Sequence, residues 1–236
     1  MTLGMLYFIP VTLGDDRIAN VLPPEVISIA HQLDTFIVEN EKTARHFLSV
    51  IQHPKPIREI VFKTLNEHTS DKELPALLNA LIAGKNVGLM SEAGCPGIAD
   101  PGAKLAALAH QKNIRVVPLV GPSSILLSVM ASGLNGQRFT FLGYIPSEKA
   151  IRINQLKSIE KQSKTHHETQ IFIETPYRNQ HLLEDILNTC NGETELCIAC
   201  NISLQDEYIV TKRIKNWKQS TLPDLHKKPS IFLLLA

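Results

Sequence analysis

The sequence predicts an α/β protein made of two α/β domains, the second with a sheet mixed with antiparallel strands. Short apolar segments of strand length alternate with segments of helical periodicity through most of the chain. The strand segments are too apolar to be half exposed, which is typical of a mainly parallel sheet covered on both faces. The alternation starts again at Gly121, so we expect an N-terminal α/β domain over residues 1–118 and a C-terminal α/β domain over residues 119–236.

In the N-terminal half, five strands are expected to alternate with helices. The predicted strands cover residues 6–11, 35–38, 57–65, 87–91 and 115–120. One helix is predicted to open at Pro24, where the missing N–H costs nothing, and others cover residues 42–52, 71–84 and 103–112. Asp71 is expected to cap the helix over residues 71–84.

The C-terminal half alternates in the same way until its end, which is rich in strands. Helices are predicted over residues 125–132 and 179–190, with a long polar helix capped by Pro146-Ser147 between them, running through Gln162. The predicted strands cover residues 139–145, 170–174, 195–202, 207–214 and 229–236. The last three have no helix between them, which indicates antiparallel additions to the sheet.

Composition narrows the class of protein. Hydrophobic residues make up 44% and charged residues 20% of the chain, as in ordinary globular domains. With 24 Lys+Arg against 23 Asp+Glu, binding of nucleic acid through overall charge is excluded, although a local basic patch remains open. No apolar segment approaches the roughly 20 residues of a membrane span. The N-terminus is typical of a first strand and not of a signal peptide, so we expect a cytoplasmic protein with no membrane partner.

The segment 91–102 is the strongest candidate for a binding loop. It follows a short apolar strand and contains Gly94, Pro96, Gly97, Pro101 and Gly102. Connections in α/β units are usually only about 2–6 residues long, and ligands bind at the ends of parallel strands. Glycines let a backbone approach a ligand closely, and prolines hold that backbone in place. We expect this loop to act with two shorter connectors rich in Gly, Pro and Ser, 121–124 and 174–178.

Neither a metal site nor a common nucleotide motif is indicated. Cys197-x-x-Cys200 has the spacing of a metal or redox motif, but it lies in a predicted strand, where residues three apart face opposite sides. His166-His167 is interpreted as a solvated pair in a polar connector. The absence of G-x-x-x-x-G-K-[ST], of G-x-G-x-x-G after the first strand and of G-x-S-x-G argues against a P-loop NTPase, a Rossmann dinucleotide site and a hydrolase elbow.

The amino-acid sequences of the loops, and their order along the chain, resemble those of the tetrapyrrole methylase superfamily, the class III S-adenosylmethionine-dependent methyltransferases. Within it they are most similar to the ribosomal RNA small subunit methyltransferase I family, which acts on a cytidine ribose hydroxyl. That family's S-D-A-G-T-P-x-I-S-D-P-G is similar to residues 91–102, its V-P-L-P-G-P-S-A to residues 117–124, and its I-F-Y-E-S-P-H-R to residues 171–178. Its S-G-L-P and F-x-F-x-G-F-L-P-x-K segments resemble residues 132–135 and 139–149.

The resemblance implies that S-adenosylmethionine binds in a cleft between the two domains, within a homodimer. Backbone amides and small side chains at strand ends can hydrogen-bond such a ligand without adding bulk. By family analogy the final strand near Pro229 would touch the cofactor too. The other implied cofactor-binding residues are Pro10, Gly94, Cys95, Ile98, Ser123, Ser124, Glu174 and Ala199.

Several departures from the family motifs concern the substrate. The family's E-D-T-R corresponds to E-N-E-K at residues 39–42, so an Asp is lost and Lys42 replaces an Arg whose bidentate contact Lys cannot reproduce. The acid of S-D-A-G is Glu92, which is one methylene longer. The first loop, usually T-P-I-G-N-L, is I-P-V-T-L-G-D at residues 9–15. We therefore expect a divergent member that keeps the cofactor.

The sequence leads to the hypothesis of a methyltransferase that acts on RNA at a ribose 2′-hydroxyl. A hydroxyl acceptor needs a base, and the candidates are Glu39 and Glu92, although either could instead brace a loop. Arg178 and Lys42 are candidates for holding a substrate phosphate. Two alternatives stay open: a methylase of a tetrapyrrole-like or other small molecule, and a non-catalytic S-adenosylmethionine-binding protein.

Overall fold

The computed structural model describes residues 2–236, which divide into two compact units. The first ends at Ser123 and the second covers Ser124–Ala236. Each unit contains one five-stranded sheet with helices packed on it. The expected α/β class is therefore confirmed, including a parallel sheet and a second, mixed sheet. In the part of the chain that the structure describes, no helix is long and apolar enough to cross a membrane.

The sheet of the first unit is parallel throughout, in the order β3-β2-β4-β1-β5. Its strands are β1 (Leu6–Phe8), β2 (Thr35–Val38), β3 (Val61–Thr64), β4 (Val87–Met90) and β5 (Val116–Pro118). Its helices are α1 (Ile18–Val21), α2 (Pro24–His31), α3 (Glu41–Val50), α4 (Leu74–Leu77), α5 (Asn79–Ile82) and α6 (Gly102–Gln111). A 3₁₀ turn, Ile57–Glu59, precedes β3.

The apolar strands of the first unit are buried on both faces, as their sequence predicts. All four residues of β2 and of β4 are buried. Two core clusters are present: Phe47 and Leu48 of α3 belong to one, and Leu81 and Leu105 to the other. Gly88 of β4 is required by this packing, because a Cβ there would lie 2.7 Å from ring carbon Cδ1 of Phe36.

The second unit has a mixed sheet in the order β6-β7-β10-β8-β9. β6 and β7 are parallel, whereas β10 is antiparallel to β7 and β8, and β9 is antiparallel to β8. The strands are β6 (Phe139–Tyr144), β7 (Thr169–Ile173), β8 (Glu195–Cys200), β9 (Tyr208–Arg213) and β10 (Ser230–Leu235). The helices are α7 (Ser124–Ser132), α8 (Lys149–His166), α9 (Asn179–Thr189) and α10 (Ile214–Trp217). The core includes Trp217 and the directly paired Phe172 and Phe232.

The structure corrects four local predictions. The strand predicted over residues 57–65 is only β3, Val61–Thr64, because residues 57–59 form the 3₁₀ turn. The helix predicted over residues 71–84 is two short helices, α4 and α5. Asp71 caps neither of them, and its Oδ1 instead accepts a hydrogen bond from Lys104 Nζ at 2.8 Å. The long polar helix α8 begins at Lys149 with Glu148 at its N-cap position and has no side-chain cap. Ser147 lies before that position, and its backbone carbonyl accepts from Arg152 Nη1 at 2.6 Å. Strand β1 ends at Phe8 and not at residue 11, since Pro10 has no N–H to continue the ladder.

Candidate active site

Three loops of the first unit meet at the carboxyl edge of its sheet. They follow β1, β4 and β5, which are neighbours in the sheet order. Val11 N donates to Gly94 O at 3.0 Å, which joins the first loop to the second. Cys95 Sγ lies 3.3 Å from Pro122 O, which joins the second to the third. Pro10, Gly94, Cys95 and Ser123, predicted from separate segments, therefore lie on connected loops.

Gly121 shows how closely the first and third loops approach. A Cβ at Gly121 would lie 2.2 Å from Cβ and Cγ of Pro10, which is far inside any allowed contact. Only glycine therefore permits this packing. The ring of Pro10 also fixes the φ angle of its own backbone, so this contact holds the two loops close together in one arrangement.

Asp100 shapes the loop between residues 91 and 102. Its Oδ2 accepts from Gly97 N at 2.7 Å and its Oδ1 accepts from Gly102 N at 2.7 Å. Burial raises the pKa of the Asp100 carboxyl, and these backbone hydrogen bonds act in the opposite direction. Gly97 has φ +85°, and a Cβ there would lie 2.8 Å from Cε1 of Phe8. The sequence interpretation did not single out Asp100, although Asp between two glycines is typical of a side chain that organises a turn.

Cys95 is a neutral hydrogen-bond donor in this arrangement. Burial raises the pKa of its thiol above the ordinary value. The protonated Sγ is therefore favoured, and it lies within reach of the carbonyl oxygens of Gly121, at 3.6 Å, and Pro122, at 3.3 Å. The thiol links two loops here, and it is not activated as a nucleophile.

Two large apolar side chains stay exposed beside these loops. Ile98 is 51% exposed and Val120 is 76% exposed. Neither side chain contributes to the core clusters of the unit. Apolar side chains next to a glycine-rich backbone are what a ligand with a flat ring and polar ends requires.

The two candidate bases, Glu39 and Glu92, are brought together at the same sheet edge. Glu39 follows β2 and Glu92 lies just after β4, which is the neighbouring strand. Glu92 N donates to Glu39 Oε2 at 3.0 Å, and Asn40 Nδ2 donates to Glu92 Oε1 at 2.8 Å. Burial raises the pKa of the Glu39 carboxyl; the Glu92 amide opposes this, while the charges of Asp100, Glu92 and Glu67 add to it.

A cavity of about 780 Å³ has Glu92 of this pair in its lining, whereas Glu39 is not one of the residues that line it. Lys42, one of the two residues predicted to hold a phosphate, lines it together with Glu92. Its wall also contains residues that the sequence interpretation missed, notably Asp16, which lies 2.9 Å from Nε2 of His46. With Asp15 also present, the lining has both signs of charge, so it suits a polar ligand with donors as well as acceptors.

In the second unit, three of the predicted residues lie at one end of the mixed sheet. The register pairs Ile173 with Ile231 and Ile231 with Ala199. Glu174, the residue after β7, and Pro229, the residue before β10, are therefore at the same edge as Ala199. Ala199 itself is fully buried within the sheet. Ser124 is the first residue of α7.

Glu174 is held by its neighbours through only one carboxylate oxygen. Oε1 accepts from Thr175 N and from Arg178 Nη2, both at 2.7 Å. Burial raises the pKa of the Glu174 carboxyl, but these hydrogen bonds and the charge of Arg178 outweigh it, so the pKa is lowered. Oε2 is buried and has no hydrogen-bond partner among the described residues. The predicted phosphate ligand Arg178 is thus already paired with a carboxylate.

Solved structures define the fold class of the protein. The methyltransferase CobJ superposes with a TM-score of 0.65 at 12% identity, covering 98% of this chain and 94% of that one. The cobalt precorrin-4 methyltransferase CbiF gives 0.59 at 14% identity with the same coverage. Uroporphyrin-III-C-methyltransferase from Thermus thermophilus gives 0.57 at 14% identity, again with 98% and 94% covered. The fold is therefore that of the tetrapyrrole methyltransferases.

Sequence relatives define the family. Ribosomal RNA small subunit methyltransferase I of Buchnera aphidicola subsp. Schizaphis graminum is 31% identical over 206 residues, 87% of this chain and 68% of that protein. Its counterpart in Vibrio cholerae is 30% identical over 207 residues, 87% and 67% of the two chains. The Haemophilus influenzae protein is 28% identical over 233 residues, 99% and 78%. No family model matches the chain. The chain belongs to the ribosomal RNA small subunit methyltransferase I family, and it is an S-adenosylmethionine-dependent methyltransferase.

The residues at the predicted sites fit this cofactor. S-adenosylmethionine has an apolar-faced adenine and several N–H and O–H donors. In the first unit, exposed Ile98 and Val120 lie beside a fixed polar backbone. In the second unit, the unpartnered Oε2 of Glu174 is a buried acceptor that lacks a donor. Buried acceptors usually find a partner, so this atom is suited to a donor supplied by a ligand.

Proposed function

We propose that this protein methylates RNA of the small ribosomal subunit at a ribose 2′-hydroxyl. The observation that carries the proposal is the 31% identity, over 87% of the chain, to a relative named for that RNA. The convergence of the loops after β1, β4 and β5 supports it, because a methyl donor must be held still against its acceptor.

The cofactor contacts belong to the same proposal. S-adenosylmethionine, when bound, supplies a methyl group carried on a positively charged sulfur. We assign its contacts in the first unit to the loops that carry Pro10, Gly94, Cys95, Ile98 and Ser123. The family resemblance adds three residues of the second unit, which are Ser124, Glu174 and Ala199.

Glu39 is the better of the two candidate bases. Its pKa is raised by burial, and a base whose pKa lies nearer to the working pH takes a proton more readily. Its Oε2 is held by Glu92 N at 3.0 Å, whereas Oε1 makes no hydrogen bond to any of residues 2–236 and can accept the hydroxyl proton. Glu92 is assigned a positioning role, because Asn40 holds its carboxylate at 2.8 Å.

The direct test is transfer of a labelled methyl group from S-adenosylmethionine to small-subunit ribosomal RNA taken from cells that lack the gene. We expect incorporation at one nucleotide, resistant to alkaline cleavage because the 2′-hydroxyl is blocked. RNA from cells that have the gene is the control, and it should accept no methyl group. Transfer to a tetrapyrrole but not to RNA would contradict the proposal in favour of a small-molecule methylase. Cofactor binding without any transfer would favour a non-catalytic binding protein.

We further propose that the protein acts in the cytoplasm, where ribosomal RNA is found, as a homodimer. Helix α7 supports the dimer: Leu126 and Met130 are one turn apart and are 53% and 79% exposed, while its buried residues are Ser128 and Ser132. An exposed apolar helix face of this kind is typical of an interface. Light scattering should give twice the chain mass, and Met130→Glu should give the monomer mass. A monomeric parent protein would contradict the dimer.

A further inference from the structure

Helix α8 has a buried face and a basic face. Its buried residues are Arg152, Leu156, Ile159 and Ser163, which pack towards the mixed sheet and α9. Lys157, Lys161 and Lys164 are exposed. At 3.6 residues per turn these three lysines fall within an arc of about 60° on the side opposite the buried residues. We call them the lysine face.

Among residues 2–236, no acidic side chain forms an ion pair with the lysine face. Glu160 is the one carboxylate within Lys149–His166, and it is spaced three and four residues from Lys157 and Lys164. Its Oε1 instead accepts from Asn191 N at 2.7 Å and from Thr194 Oγ1 at 2.5 Å. Within residues 2–236, none of the three lysines forms an ion pair.

The uneven charge of α8 contrasts with the chain as a whole. The helix has five Lys and Arg residues against one Glu, in a protein whose formal net charge is +1. Like charges three and four residues apart also repel one another along a helix and lower its stability. A polyanion bound along the lysine face would relieve that repulsion.

We infer that the lysine face binds the phosphate backbone of the RNA substrate, an inference that rests on the proposed function. Lys157 and Lys164 are about 10 Å apart along the helix axis, so they can reach different phosphates. Ammonium groups contact phosphates without reading bases, so this surface orients the RNA and does not select its sequence. The exposed side of α8 is too polar for a membrane surface, since Ile151 is its one large apolar side chain at 50% exposure among the described residues.

The test compares two triple variants of the full-length protein with equal charge loss. One is K157Q/K161Q/K164Q, on the lysine face. The matched control is K72Q/K85Q/K112Q, which changes three exposed lysines of the first unit. Binding to small-subunit ribosomal RNA from cells lacking the gene is measured between about 50 and 200 mM KCl. Methyl transfer is measured in parallel as kcat and KM.

For the lysine-face variant we expect a shallower salt dependence, with the slope of log K against log [salt] reduced by about 2 to 3, since each phosphate contact contributes about 0.7 to 0.9. Affinity near 0.1 M salt should fall by about 10- to 100-fold. KM for RNA should rise while kcat stays unchanged, and the thermal midpoint should not fall. The control variant should match the parent.

Three results would overturn the inference in distinguishable ways. If the parent methylates RNA and both triple variants bind it equally, the lysine face does not dock RNA, although the proposed function stands. If the parent neither binds nor methylates RNA, the proposed function fails and the inference fails with it. The third result combines two measurements: the parent binds phosphatidylserine vesicles and the lysine-face variant does not, while the two proteins bind RNA with equal affinity. This result would assign the lysine face to a membrane surface.

Discussion

Asn40 Nδ2 donates a hydrogen bond to Glu92 Oε1 over 2.8 Å, joining two positions at which the chain departs from its family's motifs. In the resembled motifs both positions are Asp. Here the amide of Asn40 supplies a donor to the longer carboxylate of Glu92. Asn40 Oδ1 also caps α3 by accepting from Lys42 N at 2.9 Å. We therefore expect the two departures to compensate each other at this edge of the sheet.

The first prediction tests this compensation. N40D should lower the free energy of unfolding at pH 7 by about 1 kcal/mol, because the donor is replaced by a second carboxylate. E92Q should rescue N40D, since its amide can donate to the new carboxylate. Urea unfolding of both single variants and the double variant measures the coupling, and strictly additive effects would contradict it.

The second prediction concerns Glu39 and pH. Because its folded-state pKa is raised, the folded state favours the protonated form, and stability is lost as pH rises through that pKa. E39Q removes this loss, so its thermal midpoint should exceed that of the parent at pH 7.5 and match it near pH 4. As the proposed base, Glu39 should also contribute about 10²- to 10⁴-fold to kcat.

The E39Q rate measurement has its own control. E39Q should keep its affinity for S-adenosylmethionine by calorimetry, and the acid limb of the pH–rate profile should disappear. Unchanged kcat in a folded E39Q would show that another group, or solvent, takes the proton.

The third prediction concerns Cys95. C95T keeps a side-chain donor for Pro122 O, so it should bind S-adenosylhomocysteine within about threefold of the parent. C95A removes the donor between the two loops, and its affinity should fall by about 3- to 10-fold, the factor expected for one neutral hydrogen bond. Calorimetry measures both. Equal affinities of C95A and the parent would mean that the contact does not organise the site.

The fourth prediction concerns Glu174 and Arg178. The pKa of Glu174 is lowered in the folded state, so the pair stabilises the protein above the ordinary Glu pKa, and this contribution is lost as pH falls through the lowered value. R178A should lower stability at pH 7 by about 1–3 kcal/mol, because it leaves a carboxylate with 1% exposure without its cation. The stability of R178K should lie between those of the parent and R178A. A destabilisation that persists unchanged at pH 3 would point to lost packing instead.

Much of the fold could be predicted from the sequence because its signals are local. The apolar run of β4 and the helical spacing of α6 appear where they were expected, and so do the three strands near the C-terminus. The prediction of a helix that begins at Asp71 was wrong, because it depended on the N-cap preference of that one residue. In the structure the Glu73 carboxylate accepts a hydrogen bond from Ser70 N at 2.8 Å, and the first helix of this segment begins at Leu74.

The site could be predicted only in part, because its geometry depends on distant residues. The glycines and prolines of residues 91–102 marked a loop, but nothing local shows that Cys95 meets Pro122 or that Asn40 meets Glu92, 52 residues away. The cavity wall that includes Asp16 and His46 was missed for the same reason. The parallel arrangement of the strands predicts that their carboxyl ends lie at one edge of the sheet. It does not predict which side chains of the different loops contact each other there.

The most direct test of the account is hydrogen exchange of the whole protein with and without saturating S-adenosylhomocysteine. Amides of residues 11–14, 91–102 and 119–124 should exchange more slowly in the complex, whereas the lysine face of α8 should be unaffected. If calorimetry shows tight binding while these three loops exchange as they do in the free protein, the cofactor lies elsewhere and the account is wrong.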